Sequence, residues 1–90
     1  MSGRFTDKVV LVTGGSRGLG RAICLGFSRE GAGVIVASRR LEAGQAVVAT
    51  IEKEGGSALA QAAHMGSMPD LDALIEASYQ RFGRVDILVN

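Results

Sequence analysis

The chain has 90 residues, of which 47% are hydrophobic and 21% charged, with a formal net charge of +1. That length holds one small domain and not two. The apolar share excludes a disordered chain, and the near-balanced charge gives no global attraction to nucleic acid or to an anionic membrane surface.

Met1 to Lys8 is polar and has no hydrophobic h-region, so no secretory signal is expected. No apolar run approaches the roughly 20 residues that a membrane-spanning helix needs. The single cysteine, Cys24, excludes an internal disulfide and fits a reducing compartment, so the expected location is cytoplasmic.

Val9 to Thr13 is an unbroken run of β-branched and aliphatic residues, the pattern of a strand buried on both faces. Gly14-Gly15-Ser16-Arg17-Gly18-Leu19-Gly20 then forms a glycine-rich turn. A helix is predicted to follow, with Leu19, Ala22, Ile23 and Phe27 on one stripe and Cys24 as a small buried apolar residue. Glu30-Gly31-Ala32-Gly33 stops it. Val34 to Ala37 reads as a second buried strand, and Leu41 to Glu54 as a second helix packing through Leu41, Val47, Val48 and Ile51. Gly44 weakens that helix and Gly55-Gly56 ends it.

Ser57 to Ala63 is the third strand, alanine-rich but bounded on both sides. Ser67-Met68-Pro69-Asp70 starts the third helix: Ser67 caps, Pro69 suits the first turn, and Asp70 favours the positive end. Leu71, Leu74, Ile75, Ser78 and Phe82 follow at helical spacing, and Gly83 ends the helix. Val85 to Val89 is the fourth strand, before Asn90. Strict alternation of strand and helix implies an α/β fold with a parallel sheet and right-handed crossovers. A Rossmann-type, doubly wound arrangement would order the strands 3-2-1-4 and place a ligand crevice at the carboxyl ends of strands one and four.

The glycine loop lies at that crevice. Where it meets the first helix, free N–H groups and a partial positive charge suit a phosphate or pyrophosphate. Its spacing separates it from two similar loops. The dinucleotide fingerprint G-x-G-x-x-G does not fit, because Gly14, Gly18 and Gly20 give G-x-x-x-G-x-G. Gly15 and Gly20 have P-loop spacing, but Arg21 and Ala22 stand where Lys and Ser/Thr are required, which argues against a kinase or NTPase.

The motif Thr13-Gly14-x-x-x-Gly18-x-Gly20 resembles the loop of the short-chain dehydrogenase/reductase family. The resemblance runs along the whole chain: Gly83-Arg84-Val85-Asp86-Ile87-Leu88-Val89-Asn90 is similar to the approach to that family's N-N-A-G motif, with Asn90 as its first Asn. It implies that residues 1–90 are an NAD(P)-binding Rossmann unit, the N-terminal portion of a longer enzyme. Such an enzyme moves a hydride between a nicotinamide and a small-molecule carbonyl or secondary alcohol, and the resemblance extends to a homo-oligomer. The family's catalytic Ser and Tyr-x-x-x-Lys lie further on, so no catalytic residue is assigned here. Tyr79 has Gly83 and not Lys four residues on, and is not the catalytic Tyr.

The resemblance places Gly14, Ser16, Arg17, Gly18, Leu19 and Gly20 at the cofactor phosphates, His64 and Met65 beside the adenine, and Asn90 beside the adenosine ribose. Many members carry Asp where His64 stands, so that contact departs from the pattern. An NAD binder usually holds the ribose 2′-hydroxyl with an acidic residue about 20 positions beyond the glycines. Here that position is Ser38, followed by Arg39 and Arg40. A guanidinium can bind a 2′-phosphate through two parallel bonds, and Arg17 adds a nearby cation. Ser38 and Arg39 are therefore expected to hold the 2′-phosphate of NADP, with NAD the other possible cofactor. No metal site is expected. A non-catalytic dinucleotide sensor or regulatory module is the alternative that the glycine loop leaves open.

Overall fold

The structure is a computed structural model and describes residues 3–90; Met1 and Ser2 of the polar opening segment lie outside the described residues. Four strands and three helices alternate: β1 (Val9–Thr13), α1 (Gly18–Arg29), β2 (Gly33–Ser38), α2 (Leu41–Lys53), β3 (Ala58–Ala62), α3 (Met68–Phe82) and β4 (Ile87–Val89). The sheet is parallel with order β3-β2-β1-β4, as the alternation implies. β1 faces Gly33 to Ala37 of β2, and Val10 to Val12 face Ile87 to Val89 of β4.

Side chains alternate across the sheet. Val10, Val12, Val34 and Val36 pack with Cys24, Leu25, Val47 and Ile51 of α1 and α2. Val9, Leu11, Ile35 and Ala37 pack with Leu74 of α3 on the other face. The two central strands are thus buried on both faces, which is why they read as continuous apolar runs.

The phase of α1 differs from the predicted stripe. Its buried residues are Cys24, Leu25 and Ser28, with Ile23 and Phe27 half-buried. Leu19 is 77% exposed and Ala22 is also exposed. Leu19 sits in the first turn, beyond the end of β1, where no sheet lies beneath it. Leu41, 40% exposed in the first position of α2, also stays out of the core, and Ile75 of α3 is 45% exposed. Gly44 has a use beyond weakening its helix. It is buried, and a Cβ there would lie 3.1 Å from the Ser38 hydroxyl and 3.4 Å from the Ala60 Cβ, so its absence lets α2 settle onto the sheet.

β4 is shorter than predicted. Asp86 donates its N–H to the Val9 carbonyl at 2.9 Å and accepts the Val9 N–H through Oδ2 at 2.8 Å. Its side chain replaces a ladder bond, and regular pairing starts at Ile87. Ser67 accepts the Asp70 N–H at 3.3 Å as the cap of α3, and Gly83, at φ 78°, closes that helix in the left-handed region.

Candidate functional site

A cleft of about 710 Å³ opens at the carboxyl end of the sheet. It sits over β1, β2 and β3, walled by the loops that follow those strands. Six of the expected residues line it: Gly14, Ser16 and Arg17 after β1, Ser38 and Arg39 at the end of β2, and Met65 after β3. Thr13, Arg40 and Ala63 complete the parts of the wall that matter chemically.

The glycines have divided tasks. Gly14 (φ 67°) and Gly18 (φ 59°) hold left-handed backbone, and a Cβ on either would meet nothing within 4 Å. Both face open space through which a ligand could approach the main chain. Gly20 acts differently: a Cβ there would collide with the Gly14 carbonyl and lie 3.0 Å from the Gly15 Cα. Its lack of a side chain lets the first turn of α1 close against the loop. Gly15, buried, would press a Cβ to 2.8 Å from the Cys24 sulfur. The Ala37 carbonyl anchors the loop from β2, accepting the Gly14 N–H at 2.9 Å and the Gly15 N–H at 3.4 Å.

Helix α1 starts with no side-chain cap and no acidic residue in its first turn. Its first N–H groups, unpaired within the helix, therefore have no side-chain acceptor. α2 also starts uncapped, at Arg40. Among the described residues, none of Arg17, Arg39 and Arg40 has a carboxylate partner. Three arginines, the uncapped start of α1 and open glycine backbone together give this cleft the chemistry that suits an anion.

The remaining expected residues take other positions, and one lining residue, Ser38, uses its hydroxyl elsewhere. Leu19 is on the outside of α1, so only its main chain faces the loop. The Ser38 hydroxyl, at the buried end of β2, donates to the Arg40 carbonyl at 2.6 Å. It locks the turn carrying Arg39 and Arg40 and has no second proton to donate to a ligand. His64 does not line the cleft: its Nδ1 accepts the Gly66 N–H at 3.1 Å, while its neighbours Ala63 and Met65 do line it. Asn90 stands at the end of β4, where its Oδ1 lies 3.3 Å from the Thr13 hydroxyl. That hydroxyl, also 3.3 Å from the Val89 carbonyl, ties Asn90 to the edge of the cleft. Beneath the loop, burial pushes the Cys24 thiol up to about 11, and its sulfur lies 3.7 Å from the Gly15 carbonyl. It is a protonated packing group. No cluster of three or more His, Cys, Asp or Glu residues suited to a metal occurs among the described residues.

Residues 8–90 match the family model for the short chain dehydrogenases. Over 88 residues the chain is 36% identical to the 3beta-hydroxysteroid dehydrogenase of Mediterraneibacter gnavus, covering 98% of this chain and 32% of that one. It superposes on the crystal structure of a hydroxysteroid dehydrogenase from Escherichia coli with a TM-score of 0.94 and 36% identity, over 97% of this chain and 36% of the other. Against the 3-ketoacyl-(acyl-carrier-protein) reductase from Brucella melitensis, crystallised with NADH, the TM-score is 0.86 and the identity 36%, over 93% of this chain and 33% of that one. The chain spans about a third of the length of these relatives. With the match running from the residue before β1 to Asn90, and strand order and glycine loop in agreement, this chain belongs to the short-chain dehydrogenase/reductase family.

Proposed function

We propose that these residues are the cofactor-binding portion of an NADP(H)-preferring oxidoreductase that moves a hydride between the nicotinamide and a carbonyl or secondary alcohol of a small molecule. The observation that carries the preference is the charge of the cleft: Arg17, Arg39 and Arg40 without carboxylate partners among the described residues, and no acid at the end of β2. A carboxylate there would accept from a 2′-hydroxyl and repel a 2′-phosphate; guanidinium groups attract the phosphate and can bind it through two bonds. Arg39 and Arg40 hold the 2′-phosphate, and Ser38 sets the turn that presents them.

The pyrophosphate lies over Gly14 and Gly18 at the bare start of α1, beside Ser16 and Arg17, with the main chain of Leu19 and Gly20 forming the first helical turn. Met65 and the main chain at His64 flank the adenine, and Asn90 flanks the adenosine ribose. The bound cofactor supplies the hydride; the chain supplies binding and orientation. The full-length protein acts as a cytoplasmic homo-oligomer. In keeping with that location, the one cysteine is buried and unpaired.

The test is a fluorescence titration of the full-length protein with NADPH and NADH. NADPH binds more tightly, and Ser38→Asp with Arg39→Ala moves the ratio of dissociation constants toward NADH by roughly ten- to a hundredfold, the scale of one charge-assisted contact. A ratio that does not move overturns the cofactor assignment.

A further inference from the structure

Ala63, one residue past β3, still donates its N–H to the Ser38 carbonyl at 2.9 Å. The His64 N–H lies beyond this ladder and donates to Oδ2 of Asp70 at 2.8 Å. Asp70 is in the first turn of α3, a helix fixed to the core through Leu74, which is 1% exposed. The chain between them forms a turn with its own bonds: the Ser67 N–H donates to the His64 carbonyl at 2.9 Å and the Gly66 N–H to His64 Nδ1 at 3.1 Å. Those two bonds shape the turn, and Ser67 ties its far end to α3 by accepting the Asp70 N–H at 3.3 Å and the Leu71 N–H at 3.0 Å. The Asp70 carboxylate joins the end of the strand to the start of the helix.

Ala63 and Met65, on either side of the held amide, line the cleft, whereas Asp70 does not. We infer that Asp70 is a positioning residue: by holding the His64 amide it sets Ala63 and Met65 in the cleft wall, and so governs affinity for the adenosine half of the dinucleotide. The inference rests on the dinucleotide reading of the cleft. A carboxylate accepting a backbone N–H is a charge-assisted bond, stronger and shorter than a neutral one, so the wall is held in register before any ligand arrives. That reduces the ordering cost of binding.

The test compares the full-length protein with its Asp70→Ala and Asp70→Asn forms. Binding is read with NADPH by fluorescence and with adenosine 2′,5′-bisphosphate by calorimetry, and local opening by hydrogen exchange at residues 63–67. Asp70→Ala is expected to weaken both ligands in parallel by roughly three- to tenfold, the effect of losing one hydrogen bond, and to speed exchange of the His64 amide. Asp70→Asn keeps an acceptor oxygen at the same reach and restores most of the affinity, which loss of stability alone would not produce. Unchanged affinity in Asp70→Ala overturns the inference, as does an Asp70→Asn form as weak as Asp70→Ala. If the unaltered protein binds neither ligand, the dinucleotide reading fails and the inference falls with it. If it binds both and only the variants fail to differ, the positioning role alone is wrong.

Discussion

Each end of the sheet carries a cleft, and the two differ in charge more than in shape. At the amino end, about 910 Å³ of open space is lined by residues that include Lys8, Arg29, Glu54 and Arg84. Its arginines are paired: Arg29 with Glu54 at 2.9 Å and Arg84 with Asp86 at 2.7 Å, with Arg4 and Glu30 nearby at 3.5 Å. At the carboxyl end the cleft is smaller, about 710 Å³, and its three arginines have no such partners among the described residues. The helix starts at that end differ in the same sense. α1 and α2 begin uncapped beside the cleft, whereas Ser67 caps α3. Volume does not separate the two clefts; what distinguishes the carboxyl end is its three arginines without carboxylate partners among the described residues, because an exposed ion pair already offsets the attraction that a phosphate would feel.

Two glycines give the strongest way to break this comparison. Gly14 (φ 67°) at the carboxyl end and Gly55 (φ 91°) at the amino end both hold left-handed backbone, and neither has an atom within 4 Å of its missing Cβ. Valine at either position is expected to cost about 1–2 kcal/mol in denaturant unfolding, the strain of a side chain in that conformation. Only Gly14→Val abolishes NADPH binding to the full-length protein, because its side chain enters the space where the phosphates approach. Equal NADPH affinity in the two variants would remove the glycine loop from the cofactor site.

A smaller effect sharpens the amino end. A hydrogen bond from Arg84 holds the Asp86 carboxyl below its usual range, and the bond from the Val9 N–H adds to the shift. A hydrogen bond from Arg29 lowers Glu54 in the same way. A depressed carboxyl contributes stability that is present above its ordinary value and is lost as pH falls toward the depressed one. Thermal melts from neutral pH down through the carboxylate range should therefore show an acid-side loss that is shallower in Asp86→Asn, with NADPH affinity at neutral pH unchanged. A variant with the full acid dependence would show that the Arg84 and Val9 contacts contribute nothing to it.

The contrast also shows what the sequence made legible. The continuous runs at Val9 to Thr13 and Val34 to Ala37 identified doubly buried strands, and the strand–helix alternation then left few topologies. Gly83 and Ser67 marked the ends of α3 through local chemistry alone. The phase of α1 was half legible: Ile23 and Phe27 of the expected stripe pack half-buried against the core beside the expected Cys24, whereas Leu19 and Ala22 stay exposed and Leu25 and Ser28 are buried in their stead. The late start of the β4 ladder depends on a side chain taking a backbone's place, which no periodicity records. In the site, the glycines and arginines announced themselves by type. The inward turn of Ser38 and the place of His64 off the cleft wall go with short-range bonds to Arg40 and Asp70, two and six residues on, which residue type alone does not announce.

The buried thiol beneath the glycine loop has a practical use. Cys24 is 0% exposed, and its environment holds it protonated at neutral pH. A thiol-specific reagent can therefore react only when the loop and α1 part from the sheet, and the rate of labelling counts those openings. Any ligand that binds only the closed loop slows the count by a factor of one plus the ratio of its concentration to its dissociation constant, about a hundredfold at a concentration 100 times that constant. The chain thus contains its own clock for cofactor binding, one that runs without knowledge of the substrate and ranks NADPH, NADH and their fragments on a single scale.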